Sequence, residues 1–347
     1  LYYLSPYIGD MADIRTVTAL RESITRMETL LEASPSVVAC DSHPRYNTTI
    51  TAHELGLPVI EVQHHYAHIL SCMAENDCID KTVIGVSLDG TGYGTDGTIW
   101  GGEILLCDIH GFRRCGSIAP FWQRGGDVSS KEGWRIAVSM IAQLVKEPSD
   151  IASVVQQLQL CDEANLQAQL FMAANQINSV RSTSTGRLFD AVSAILGLCR
   201  ASTFEGEGAM KLQFAAECGK DRAEGHVLHI ETDSLQDTRC ILPTDRLVQE
   251  MLQRRLQGEN VSLLAYQFHD ALARMLVQAC EQVREETHCR TAALSGGVFQ
   301  NTLLLRLCDA MLQQRGFTVL KHRFVPPNDG GIALGQAVYA MYNKGGV

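Results

Sequence analysis

The stretch that decides the fold runs Pro58-Val59-Ile60-Glu61-Val62-Gln63-His64-His65-Tyr66-Ala67-His68, then Thr82-Val83-Ile84-Gly85-Val86-Ser87-Leu88-Asp89-Gly90-Thr91-Gly92-Tyr93-Gly94. A short apolar strand feeds a helix that is expected to reach about Asn76. A β-branched strand follows and ends on Asp89, a glycine-rich loop spans Asp89 to Gly94, and Thr98–Cys107 returns as the partner strand. On a helix His64 and His68 share one face a turn apart and can grip one ion. Asp89 closes a buried strand, where a carboxylate needs a cation or strong donors. His65, three residues before His68, competes with His64 for that role.

Working outward, Val37–Asp41, a helix over Asn47–Leu55 and Val59–Val62 form a β-α-β unit with a parallel strand pair. Before it, residues 1–10 read as a strand and turn. Asp13–Ala33 reads as a helix with an apolar stripe at Ile14, Val17, Leu20, Ile24, Met27, Leu30 and Leu31. After the hairpin, one strand is expected over Phe112–Phe121. Helices are expected at Lys131–Lys146, Ser149–Leu158, Glu163–Asn178, Leu188–Leu198 and Glu207–Cys218. Val227–Glu231 and Cys240–Leu242 should pair, followed by helices Asp245–Leu256 and Ser262–Thr287. Then come strand Thr291–Ser295, helix Phe299–Arg315, strand Phe317–Leu320 and a closing helix to Tyr342. The class is α/β, with two lobes facing a cleft.

Chemistry gathers at the strand ends, where ligands of open α/β sheets bind. Asp89 and Asp329 each stand beside glycine, and with His64 and His68 they make a mixed N/O set suited to iron, zinc or manganese over calcium. Gly90, Thr91 and Gly92 could cradle a phosphate or form a tight hairpin. Gly296 and Gly297 join a strand to a helix start that favours an anion, with Asn301 one turn in to meet a base or ribose. Gly186–Asp190 starts another helix, with Asp190 in its first turn as a dipole partner or a ligand contact. His43, His269 and His322 stand singly and read as structural. Gly-x-Ser-x-Gly and Walker patterns are missing, against common hydrolases and P-loop enzymes.

An apolar fraction of 46% and a charged fraction of 20% belong to an ordinary globular chain. A net charge of −10 argues against a broad nucleic-acid surface. Twelve scattered cysteines include no Cys-x-x-Cys pair, which speaks for reduced thiols of a cytoplasmic protein rather than a zinc site or disulfide framework. No run of about 18 apolar residues could span a membrane, and the first residues do not read as a signal peptide.

In order along the chain, Leu4-Ser5-Pro6 to Asp10, Ala39-Cys40-Asp41-Ser42-His43-Pro44, Gln63–His68, Asp89–Gly94 and Gly125-Gly126-Asp127 with Trp134-Arg135 resemble the C-terminal part of the hydrogenase-maturation carbamoyltransferase family, HypF. So do Gly186–Asp190, Ser295–Asn301 and Asn328–Gly331 with Leu334-Gly335-Gln336. The resemblance implies a two-lobed, actin-like fold, shared with tRNA threonylcarbamoyl transferases and small-molecule O-carbamoyltransferases. Residues 1–80 with 330–347 would form one lobe and 81–329 the other. It further implies a divalent metal (iron, zinc or magnesium) on His64, His68, Asp89 and Asp329, and ATP or ADP beside Gly90–Gly92, Gly296-Gly297 and Asp190. The implied reaction takes carbamoyl phosphate through carbamoyl-adenylate to the C-terminal cysteine of a HypE-like partner, towards the cyanide ligands of nickel-iron hydrogenase. The family's acylphosphatase, zinc-finger and adenylate-forming domains are not within these residues, and neither is the first hairpin of the N-terminal lobe. The chain is therefore expected to carry out at most the transfer step. The rival outside enzymology is a nucleotide-binding scaffold that only docks partners.

Overall fold

A computed structural model describes residues 1–145, 147–223, 227–228, 230 and 240–343. In chain order the elements are α1 (Ile14–Leu31), β1 (Val38–Asp41), α2 (Asn47–Glu54), β2 (Val59–Val62), α3 (His64–Glu75), β3 (Val83–Tyr93), β4 (Ile99–Asp108), β5 (Gly111–Ile118) and β6 (Phe121–Arg124). They continue with α4 (Gly133–Leu144), α5 (Pro148–Gln157), α6 (Glu163–Asn175), β7 (Ser179–Ser182), α7 (Thr185–Ile195), α8 (Glu207–Gly219), β8 (Cys240–Leu242), α9 (Thr244–Leu256) and α10 (Val261–Thr287). β9 (Thr291–Ser295), α11 (Thr302–Gln314), β10 (Thr318–Lys321) and α12 (Ile332–Tyr342) close the chain.

The main sheet runs β10-β9-β3-β4-β5-β8, with β7 joining β4 and β6. β10, β9 and β3 are parallel, and β3, β4 and β5 are antiparallel. β3 is buried continuously from Val83 to Asp89, as a strand covered on both faces must be. On one face Ile84, Val86 and Leu88 meet α4, α7 and α10 in the larger core. On the other, Val83 and Leu105 meet Ile69, Leu70 and Met73 of α3 and Val338 of α12. The separate pair β1–β2 is parallel, Asp41 lying against Val62, as the β-α-β pattern requires. That register delivers the end of β1 to the first turn of α3.

Several expectations need correcting. Residues 1–10 form no strand, and among the described residues β1 pairs only with β2. Of the α1 stripe only Val17 is buried, while Ile14 and Leu30 stand exposed. Asp89–Gly94 is not a free loop: β3 continues to Tyr93, with its register broken between Leu88 and Gly92. The expected strand Phe112–Phe121 is two, β5 and β6, divided at Pro120, which cannot donate to a ladder. The short polar strand β7 was not anticipated. β8 pairs with β5, and the proposed Val227–Glu231 strand falls partly outside the described residues. Lys146, the proposed last residue of the α4 helix, lies outside them as well. Asp190 sits in the second turn of α7, and Asn301 precedes α11 rather than lying inside it.

All twelve cysteines are free. Among the described residues no helix is long and apolar enough to cross a membrane.

Candidate metal and nucleotide site

Helix α3 begins where Gln63 accepts the amide of Tyr66 at 2.9 Å, a side-chain cap that fixes the direction of the first turn. His64 and His68 then point the same way, their rings 4.9 Å apart at their centroids. The break in β3 takes Asp89 out of the ladder and turns its side chain toward them, a use of bulges common beside functional sites. Asp329 arrives in the turn before α12, which Asn328 caps by accepting the amide of Gly330.

These four side chains converge. His64 Nε2 lies 3.0 Å from Asp89 Oδ2 and 3.5 Å from Asp329 Oδ1, and His68 Nε2 lies 3.5 Å from each of those oxygens. One donor atom from each residue falls within 4.8 Å of the others. Four ligands at about 2.1 Å around a tetrahedral ion stand about 3.4 Å apart, so the spacing fits a single cation. His68 Nε2 is buried and has no hydrogen-bond partner. This buried ring nitrogen thus faces two carboxylate oxygens without a hydrogen bond to either, a place that a cation would fill. Imidazole and carboxylate donors in this number suit a first-row transition metal or zinc.

The surroundings orient these ligands. Asp41 Oδ2 sits 2.8 Å from His64 Nδ1, a carboxylate behind an imidazole that leaves Nε2 facing the centre. The second oxygen of Asp89, Oδ1, accepts the amide of Gly297 at 3.1 Å. Burial alone would raise the Asp89 carboxyl, but His64 and His68 hold it well below the usual carboxylate range. Burial likewise opposes charge on His64, yet Asp329, Asp41 and Asp89 together raise it well above the ordinary imidazole value. The pocket is built to hold positive charge. His65 turns away to Gln63, 3.1 Å from Nδ1, and burial lowers it.

The glycines fit tightly around this centre. A Cβ on Gly92 would come 2.4 Å from His65 Cε1 and 2.7 Å from His64 Cδ2. Gly296 has φ +103°, and a Cβ there would meet the Leu88 carbonyl at 2.2 Å. Gly90 and Thr91 lie in the same break in β3, with the Gly90 carbonyl accepting Ser184 Oγ at the start of α7. Asp190 lies deeper, packed under Gly133 and Gly208, with Arg187 Nη2 3.0 Å from Oδ2. Burial pushes its carboxyl up to about 6, with Arg187 opposing. Asn301 turns inward: Oδ1 caps the amide of Leu304 and Nδ2 donates to His269 Nε2 at 2.9 Å. Gly90, Thr91, Gly92, Gly296 and Gly297 thus border the Asp89 corner, whereas Asn301 supports it from beneath. Asp41 escaped the sequence reading as a ligand partner, although the β1–β2 register already places it beside the start of α3.

Two family profiles match this chain: "HypF Kae1-like domain" over residues 1–75, and "Carbamoyltransferase, Kae1-like Domain, second subdomain" over 85–336. A probable carbamoyltransferase HypF from Methanocaldococcus jannaschii is 32% identical over 99% of this chain and 44% of its own length. A carbamoyltransferase HypF homolog of Cupriavidus necator is 32% identical over 96% of this chain and 84% of its own. The crystal structure of a full-length HypF in a phosphate- and nucleotide-bound form superposes with a TM-score of 0.87 at 35% identity, covering 97% of this chain and 51% of that one. The α/β, actin-like class expected from the sequence holds across that match. The chain spans about half the length of that structure and 44% of the M. jannaschii relative.

Proposed function

The chain belongs to the HypF family, whose Kae1-like domain it represents, and on that premise we propose that it is a carbamoyltransferase of hydrogenase maturation. In this reading it passes a carbamoyl group from carbamoyl-adenylate, made from carbamoyl phosphate and ATP, to the C-terminal cysteine thiol of a HypE-like protein. In this reading residues 1–80 with 330–347, of which 344–347 lie outside the described residues, form one lobe and 81–329 the second, with the site where they meet. The observation that carries the reading is the convergence of His64, His68, Asp89 and Asp329 within 4.8 Å. These four would hold a divalent metal, iron or zinc, which when bound supplies a Lewis acid for a carbonyl or phosphate oxygen.

The protein's own contribution is placement. Asp41 holds the His64 ring, and Gly297 fixes Asp89 in one rotamer. In this reading the backbone of Gly90, Thr91 and Gly92 and the turn at Gly296-Gly297, which border the Asp89 corner, would present main-chain N–H groups to an adenine nucleotide's phosphates. Asp190 lies behind them, and Asn301 sets the start of α11 under that turn through its cap. Bringing a thiolate and an activated carbamoyl group together in a fixed cleft converts an encounter into a local step.

The test supplies carbamoyl-adenylate to the full chain with a peptide ending in cysteine and measures thiocarbamate by mass. Formation dependent on His64 and His68 is expected. Nucleotide binding by calorimetry without thiocarbamate would favour a docking scaffold, and transfer to tRNA or to a small hydroxyl compound would reassign the acceptor. The net charge of −10 weighs against tRNA.

A further inference from the structure

Seven residues before Asp329, His322 sits between two partners: its Nδ1 is 2.9 Å from Glu75 Oε2, and its Nε2 is 2.8 Å from Ser295 Oγ. Glu75 is the last residue of α3, the helix that carries His64 and His68. Its other oxygen accepts the amides of Arg323 at 2.8 Å, Phe324 at 2.5 Å and Val325 at 3.4 Å. An ionised carboxylate only accepts, so Nδ1 of His322 carries the proton and Nε2 accepts the hydroxyl of Ser295. Ser295 ends β9, and the next two residues reach the site's own walls: Gly296 N–H bonds Pro327 O at 3.0 Å and Gly297 N–H bonds Asp89 Oδ1.

The wiring is that of an acyl-transfer triad, hydroxyl to imidazole to carboxylate. Ser295 is fully buried, however, and the side chains of Glu75 and His322 are only 7% and 4% exposed. No substrate can reach that hydroxyl, so the node is not a nucleophile. What it joins is three segments of the candidate site: α3, which carries both imidazoles, the end of β9, after which Gly297 braces Asp89, and the 322–331 segment, which carries Asp329.

We propose that Glu75, His322 and Ser295 are positioning residues that set the cation affinity of the site by holding the Asp329 segment in register with α3 and β9. This rests on the reading that His64, His68, Asp89 and Asp329 hold a cation. Glu75→Gln, His322→Asn and Ser295→Ala leave the four candidate ligands themselves unchanged.

The experiment measures Zn²⁺ affinity of the full chain by competition with a chromophoric chelator, alongside thermal unfolding. Glu75→Gln should weaken Zn²⁺ binding by about 10- to 100-fold in protein that is folded at the assay temperature, the range typical of supporting partners of metal ligands. Ser295→Ala, which removes one hydrogen bond, should weaken it less. In an Asp329→Ala background, Glu75→Gln should change the affinity by less than about twofold, because its effect runs through Asp329. A lower Tm with unchanged affinity, or a full and additive loss in that background, would overturn the proposal. Should Glu75→Gln fail to fold, His322→Asn and Ser295→Ala carry the same comparison. A His64→Ala/His68→Ala variant that still binds Zn²⁺ like the wild type overturns the cation reading itself and this inference with it. Loss there, with affinity kept in Glu75→Gln, overturns this inference alone.

Discussion

Asp41 Oδ2 stands 2.8 Å behind His64 Nδ1, while His64 Nε2 stands 3.0 Å in front of Asp89 Oδ2. One imidazole is thus held from both sides, by a carboxylate from a small parallel sheet and by another from the large mixed sheet. The ring is the joint between them.

If Asp41 orients that ring, Asp41→Asn should lower metal affinity by about 10- to 100-fold while His64 remains a ligand. An amide can donate to Nδ1 and so favour the wrong tautomer. Metal titration monitored by competition checks this. An unchanged affinity would show that ring orientation is set by packing alone.

Gly92 touches the same imidazoles from the strand side. Gly92→Ala should cost about 1–3 kcal/mol of stability, because the nearest atoms are rings that are buried on all sides. It should also lower metal content, since His64 must move. Gly111→Ala is the control, for a Cβ there meets nothing within 4 Å. Chemical denaturation and elemental analysis of the two variants side by side decide it.

Metal should stabilise the folded state by mass action. At free metal a hundredfold above Kd the gain is about 2.7 kcal/mol, so a chelator should lower the Tm and restored metal should recover it. The His64→Ala/His68→Ala variant should show no such response. A Tm indifferent to chelation in the wild type would contradict a cation at this place.

His269 gives a pH signature away from the candidate ligands. Burial lowers its imidazole to about 4, while Nδ1 bonds the Ala265 carbonyl at 2.7 Å and Nε2 receives the Asn301 amide. Between pH 6.5 and about 4 the unfolded chain takes up a proton that the folded chain refuses. Stability is therefore intact above pH 6.5 and falls as the pH drops through that window, by on the order of 3 kcal/mol. His269→Gln should remove that part of the acid sensitivity. Urea unfolding at pH 7 and pH 4.5 measures it, and equal slopes in the variant and wild type would exclude His269 as the source.

What the sequence disclosed and what it withheld divide along physical lines. β1, α2, β2 and α3 follow from local periodicity and caps, and they lie within a residue or two of their expected bounds. His64 and His68 follow from helical spacing, and the two remote aspartates were marked by the glycines beside them, although Asp89 lies within β3 and Asp329 in the turn before α12 rather than at strand ends. The bulge at Asp89 could not be read locally. Glycine, aspartate and threonine in a row suit a turn equally well, and only the neighbouring β4 decides that the strand goes on. Asp41, Glu75 and His322 were hidden for a related reason: their roles depend on partners that lie in other segments of the chain. An isolated histidine such as His322 carries no local sign of its neighbours.

The two segments that close the site around α3, one at the break in β3 and the other preceding α12, bring in Asp89 and Asp329 from positions 240 residues apart in the sequence. During synthesis the histidines and Asp89 therefore emerge long before Asp329. A nascent chain can offer an incoming ion three donors at most, and the fourth arrives only when the final helix docks. If these four residues hold a cation, its loading is tied to the docking of α12, and a chain that stops before Asp329 should bind the ion more weakly.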